Sequence, residues 1–327
     1  MQDTFSKLLS RRSFLKQSSK GLAYLALNTT LPNIIDLSQR DYFYFGVLSD
    51  THIIDDQYLN DSSWFTNLTI HKANSRFKQV QTTLNQLDVP LDMVFITGDF
   101  IHNHPSQNWD YYFKNHTRFD AAREIIDGFN VPVYPGLGNH DYSIDKLKTT
   151  DPRSIRKEFT HDLFRNKFGV EPYYSIHHKG HRFIHLNNFL GNTYRAGHEQ
   201  CNLTKGSFGE IQLNWLQAEL ESREPTFLFT HYPMQLLQRK EFADLGLSRL
   251  LKKYNDTVLG VFSGHMHLWL DFRRTFGPRH MVTSSTRLDD NSFMVIRVNR
   301  RNGSFKVLNY RRILWQTPWA RPYRQAA

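Results

Sequence analysis

The chain has 327 residues, 39% of them apolar and 14% aromatic, enough for one catalytic domain of about 250–290 residues with short appendages. Its 22% charged residues and twelve prolines exclude a fibrous or disordered polymer, and no run reaches the ~18 uncharged apolar residues that cross a bilayer. The single cysteine, Cys201, excludes an intrachain disulfide, a cysteine zinc site and an iron–sulfur cluster. The net charge of +10 divides into +3 over residues 1–38, −1 over 39–290 and +8 over 291–327. The basic character therefore sits at the two ends, and no nucleic-acid partner is expected for the neutral body.

Near the N-terminus, Ser10-Arg11-Arg12-Ser13-Phe14-Leu15-Lys16 precedes a short apolar stretch, Gly21 to Leu27. The run resembles a twin-arginine export signal, so residues 1–38 are set apart from the fold. The resemblance implies the twin-arginine translocation machinery as a partner and a periplasmic or secreted location. No clean small-residue cleavage site follows, which leaves tethering to the membrane open.

From Asp41 onward, short apolar strands alternate with amphipathic stretches. Strands are expected at Tyr42–Leu48 and Met93–Thr97, and helices at Phe77–Leu87 and Ala121–Phe129. A strand at Val131–Tyr134 leads into Gly138-Asn139-His140-Asp141. A hairpin over Tyr173–Asn187 turns at Lys179-Gly180, and a helix over Gln212–Glu221 precedes strands at Thr226–Thr230 and Leu259–Ser263. The chain then closes in β structure at Met281–Thr286, Met294–Val298 and Phe305–Tyr310, the last two about an Asn302-Gly303 turn. This order predicts an α/β (α+β) fold with sheets covered by helices, in one domain over 39–315, followed by a basic tail at 316–327.

Five strands each run into a polar cluster: Asp50-Thr51-His52, Gly98-Asp99, Gly138-Asn139-His140-Asp141, His231 and Gly264-His265-Met266-His267. Ligands of α/β sheets bind beyond the carboxyl ends of strands, so these clusters are expected to converge. Hard carboxylate and amide oxygens mixed with borderline imidazoles suit manganese, iron or zinc. The glycines before Asp99, Asn139 and His265 are expected to let the backbone approach the metals closely.

The order D-x-H, GD, GNHD, H, GH-x-H resembles the calcineurin-like metallophosphoesterase family from about Tyr42 to Tyr310. That resemblance implies a four-layer fold, a central β-sandwich flanked by helices, with two divalent or trivalent metal ions at one sheet edge. One metal would be held by Asp50, His52 and His267, the other by Asn139, His231 and His265, with Asp99 bridging. Two metals ~4 Å apart share a hydroxide nucleophile and clamp an in-line displacement at phosphorus. His140 is implied as the proton donor to the leaving oxygen, with Asp141 behind it as its orienter.

Departures narrow the branch. The purple acid phosphatases carry Asp-x-Gly and a tyrosine three residues after the bridging Asp, where this chain has His52 and His102. The protein serine/threonine phosphatases carry GDxxDRG, where this chain reads Gly98-Asp99-Phe100-Ile101-His102-Asn103. What remains is a phosphodiesterase or phosphomonoesterase of nucleotide-like or lipid-headgroup substrates. A nuclease of the same fold and a non-catalytic metal-binding module are the alternatives. His102, His104, Tyr142 and Tyr232, each close to a ligand motif, are candidates for contact with a phosphate-ester substrate. Arg297, Arg300, Arg301, Lys306, Arg311, Arg312, Arg321 and Arg324, in a segment without acidic residues, predict a solvated basic face. Peripheral contact with an anionic membrane is the sharper alternative.

Overall fold

A computed structural model describes residues 41–58, 63–145, 157–191, 206–234, 246–275 and 277–310. The expected export segment at 1–38, the tail at 316–327 and Arg311, Arg312, Arg321 and Arg324 lie outside the described residues.

Two sheets form the centre. The first has five strands in the order β11-β10-β1-β2-β3: β1 Tyr42–Leu48, β2 Met93–Ile96, β3 Val133–Pro135, β10 Phe293–Asn299 and β11 Phe305–Val307. The second has six, in the order β4-β5-β6-β7-β9-β8: β4 Tyr174–His178, β5 His181–Leu186, β6 Thr226–Thr230, β7 Val258–Ser263, β8 Leu270–Arg273 and β9 Arg279–Val282. β1, β2 and β3 are parallel, as are β5, β6, β7 and β9, so each set delivers its carboxyl ends to one edge.

Side-chain alternation along the strands builds the layers. Phe43, Phe45 and Val47 of β1 meet Phe95, Phe183, Phe227, Phe229 and Phe262 in a core between the sheets. The Phe95 and Phe229 rings stack there at 4.0 Å between centroids. Each phenylalanine buried this way contributes about 1.5–3 kcal/mol relative to exposure. Val94 and Ile96 point the other way, under the helices Ala73–Asn85 and Arg118–Asp127. Ile184, Leu228 and Val261 do the same on the second sheet, under Glu210–Glu221 and Leu247–Lys253. Strands covered on both faces read as unbroken apolar runs, which is why they stood out in the sequence. The layers are helix, sheet, sheet, helix.

Some elements differ from expectation. The helix Lys157–Phe168 was not anticipated, because Thr160 and His161 occupy buried positions beside Leu163 and Phe164 and blur the apolar period. The strand expected at Met281–Thr286 stops at Val282. The chain then leaves the second sheet and crosses to the first: Thr283 N donates to Ser263 O at 2.8 Å, Thr286 N to Ser49 O at 3.0 Å and Arg287 N to Asp50 O at 3.1 Å. This crossing strap ties the two sheets at the edge where the polar clusters lie. The basic face is also less bare than expected. Arg297 lies over the Tyr42 ring at 4.7 Å, and Arg301 pairs with Asp41 at 2.9 Å. Among the described residues no helix is long and apolar enough to cross a membrane.

Candidate metal centre

The polar clusters meet at the shared carboxyl edge. Among the described residues three groups of side chains each bring their donor atoms within 4.8 Å of one another: His52, His102 and His140 form one, and the two that carry carboxylates are Asp50, His52, Asp99 and His267, and Asp99, His231 and His265. Asp99 belongs to both of the latter. Its Oδ2 lies 3.2 Å from His231 Nε2 and 3.8 Å from His52 Nε2, so one carboxylate oxygen faces both groups. Asn139 joins the second group, its Oδ1 3.1 Å from His231 Nε2. In the first, His267 Nε2 is 3.1 Å from Asp50 Oδ1 and 3.3 Å from His52 Nε2.

Backbone strain is concentrated here. Among the described residues nine non-glycine positions have positive φ, and six of them are Asp50, His52, Asp99, Asn103, His265 and His267. Such conformations cost on the order of 1–3 kcal/mol each and persist only where surrounding bonds over-determine them. Asp50 N donates to Gly98 O at 3.0 Å, and His52 N to Asp99 O at 2.9 Å. The glycines clear space at this edge. A Cβ on Gly138 would sit 2.3 Å from Asp99 Oδ1, and one on Gly264 would sit 2.5 Å from Asp50 Oδ2. They make room for the carboxylates themselves.

This donor set fits cations. His231 Nδ1 donates to Thr97 O at 3.2 Å, which fixes that nitrogen as a donor and turns Nε2 toward Asp99 and Asn139. Burial opposes a charge on His231, but the Asp99 carboxylate outweighs it and lifts its pKa to about 9. The carboxylates draw a positive charge into the second group. Burial likewise opposes ionisation of Asp50, yet His267 holds its carboxyl well below the usual range.

His140 lies at the rim. Its backbone N–H donates to Asp99 Oδ1 at 2.7 Å and its Nδ1 to Asn103 Oδ1 at 2.7 Å, and its ring stands 4.6 Å from that of His52. The residue behind His140 is therefore Asn103, and Asp141 does not orient it. Asp141 Oδ2 accepts from Asp99 N at 2.9 Å and Gly138 N at 2.7 Å, and Oδ1 from Ile101 N at 3.0 Å. Three backbone donors spend this carboxylate on shaping the loops that carry Asp99 and Asn139.

The four residues expected at the substrate are buried instead. His104 donates from Nε2 to the Asp141 carbonyl at 2.7 Å and lies with Nδ1 2.8 Å from the Tyr112 hydroxyl. The Tyr142 hydroxyl accepts from Asn187 Nδ2 and meets His161 Nε2, both at 2.7 Å. Tyr232 packs its ring 4.3 Å from that of His265. His102 lies beneath the first group, sharing an Nδ1–Nδ1 bond of 3.1 Å with His52 and stacking on His140. It supports ligands from behind. Sequence reasoning missed Asn103, four residues past Asp99, and Arg287, which no motif marks.

A model of the calcineurin-like phosphoesterase family matches residues 43–268. Endopolyphosphatase from Cryptococcus neoformans var. neoformans is 22% identical over 222 residues, covering 57% of this chain but 33% of that protein, so the likeness spans a third of its length. The crystal structure of a dimetal phosphatase from Danio rerio superposes with a TM-score of 0.58 at 16% identity, over 81% of this chain and 99% of that one. At such identity the likeness is one of fold.

Proposed function

The chain belongs to the calcineurin-like phosphoesterase family and is a phosphoester hydrolase, and from that premise we propose that this edge is its dinuclear catalytic centre. Asp50, His52 and His267 would hold one ion and Asn139, His231 and His265 the other, with Asp99 shared. The observation that carries the reading is the single Asp99 oxygen facing both imidazole groups. When bound, two such ions (manganese, iron or zinc suit the donors) polarise phosphoryl oxygens and furnish a nucleophile at neutral pH. The chain's own groups do the rest. The Thr97 carbonyl fixes the tautomer of His231, and His102 holds Nδ1 of His52. Asn103 holds Nδ1 of His140, leaving Nε2 of the protonated ring to deliver a proton to the departing oxygen.

Nucleotide-like and lipid-headgroup phosphate esters are the proposed substrates. The near-neutral body supports small esters over a nucleic-acid backbone. The fungal relative's name supports adding inorganic polyphosphate to the panel. Hydrolysis of p-nitrophenyl phosphate and bis-p-nitrophenyl phosphate, with and without chelator, is the test. At least one should be cleaved, the chelator should stop it, and added metal should restore it. Failure of the metal-replete chain on both, or indifference to chelation, sinks the reading.

We also propose that residues 1–38 direct export, the twin-arginine run being the support. Arg11→Lys with Arg12→Lys preserves charge and should leave the protein in the cytoplasm; unchanged fractionation rejects the signal.

A further inference from the structure

Arg287 stands on the strap that crosses between the sheets, its backbone N–H bonded to the Asp50 carbonyl. Its own carbonyl accepts from Arg76 Nη1, and the Ser285 hydroxyl two residues earlier donates to Asp50 O at 2.9 Å. The residue is therefore fixed at the carboxyl end of β1, beside the first group of donors. It is only 5% exposed, and its Nε is buried without a hydrogen-bond partner. Among the described residues its guanidinium makes no hydrogen bond or ion pair. Arg118, equally buried nearby, shows the contrast, with Asp145 and two backbone carbonyls engaged.

A buried guanidinium without a partner is costly, because desolvation is not offset by a counter-charge. Burial lowers its basicity, and the carboxylates whose charge opposes that are Asp50 and Asp99. Those carboxylates are the ones committed to cations in the proposed function. With two dications on two carboxylates, the centre carries surplus positive charge and Arg287 adds to it. Its charge also reaches the imidazoles that face the centre: burial lowers the basicity of His52, His102 and His140, and Arg287 contributes to each. A buried planar fork of donors on the strap bonded to Asp50, with nothing to donate to, suits the oxygens of a tetrahedral anion.

We propose that Arg287 binds the non-bridging oxygens of the substrate's phosphoryl group, and of the phosphate released from it, beside His140. The inference rests on the reading of this edge as a phosphoesterase centre and assigns the group that grips the anion. A dianionic monoester should depend on Arg287 more than a monoanionic diester, since the attraction grows with the charge held.

The test compares the metal-loaded full chain with its Arg287→Met and Arg287→Lys variants. Inorganic phosphate binding is followed by calorimetry, beside metal content, melting temperature and kinetics on p-nitrophenyl phosphate and its bis ester. In Arg287→Met, phosphate affinity should fall about 10–100-fold, with KM for the monoester rising by a similar factor and the diester less affected. Metal content should hold, and melting should be unchanged or raised, because removal of an uncompensated buried charge relieves the fold. Arg287→Lys should recover part of the affinity, charge being kept and the fork lost. Unchanged phosphate affinity with intact metal overturns the inference, as does a Met variant that melts lower and loses metal. If the wild type hydrolyses neither ester yet binds phosphate through Arg287, the proposed function fails and the anion site stands. If it hydrolyses them and Arg287→Met is indistinguishable, the site fails and the function stands.

Discussion

His140 Nδ1 donates to the side-chain oxygen of Asn103 at 2.7 Å, and that bond ties the rim of the centre to a buried charge network. Asn103 holds a φ of 61°, and its carbonyl and that of His102 accept from Arg118, whose guanidinium is pinned to Asp145 at 3.0 Å. Asn103→Ala should lower kcat about 10–100-fold with metal content retained, since the ring loses its orienting acceptor; Asp145 also loses a donor and alanine is strained at this φ, so stability should fall as well. His140→Ala should cost ~10²–10⁴ on alkyl phosphates and less on p-nitrophenyl phosphate, whose phenolate departs without a proton. Steady-state rates on both substrates check the pair; equal losses for His140→Ala would assign it to binding.

Asp99→Asn isolates charge from shape. The amide can still accept the His140 N–H, now made to Oδ1 at 2.7 Å, while the anionic oxygen facing His231 and His52 is lost. Turnover should vanish and at least one metal equivalent with it. Two full equivalents in the purified variant, with near-normal rates, would refute the shared-ligand role.

The sequence made the fold legible where strands are buried on both faces, because runs such as Phe227-Leu228-Phe229 leave no other reading. It made the donors legible because each sits within a few residues of such a run. Asn103 and Arg287 escaped for a different reason. Their roles depend on contacts across the chain, to His140 and to the end of β1, and neither lies in a pattern with a period. Asp141 misled because adjacency to His140 suggested partnership. In the short 3₁₀ turn His140–Tyr142 the two side chains diverge, one to the rim and one into the loops.

Asp141→Ala separates those accounts. Removal of the carboxylate leaves the buried N–H groups of Gly138, Asp99 and Ile101 without acceptors. At about 1–3 kcal/mol for a stranded group, partly relieved by water, the loss should be roughly 3 kcal/mol or more. Denaturant unfolding of the metal-free chain should show it, with weakened metal binding beside it. A variant as stable as wild type but slow in proton transfer would restore Asp141 to the place behind His140.

Asp271 gives the fold a pH dependence away from the metals. Its carboxylate accepts from Arg279 Nη2 at 2.7 Å, Arg273 N at 2.8 Å and the Tyr310 hydroxyl at 2.9 Å, joining β8 and β9 to the chain beyond β11. Burial works to raise its pKa, but these donors outweigh it and hold the carboxyl below its ordinary value. A depressed folded-state pKa means that the stabilisation is complete above the unfolded value of ~3.9 and drains away as pH falls through the lower, folded one. Asp271→Asn should therefore cost about 1–3 kcal/mol at pH 7, because Arg279 keeps its burial and loses its counter-charge. The difference between variant and wild type should shrink on acidification below pH ~4, as the unfolded chain and then, at lower pH, the folded carboxyl take up the proton. Urea unfolding of both chains at pH 7 and near pH 3 measures the two gaps. A gap that stays constant across that range would mean that Asp271 contributes shape alone.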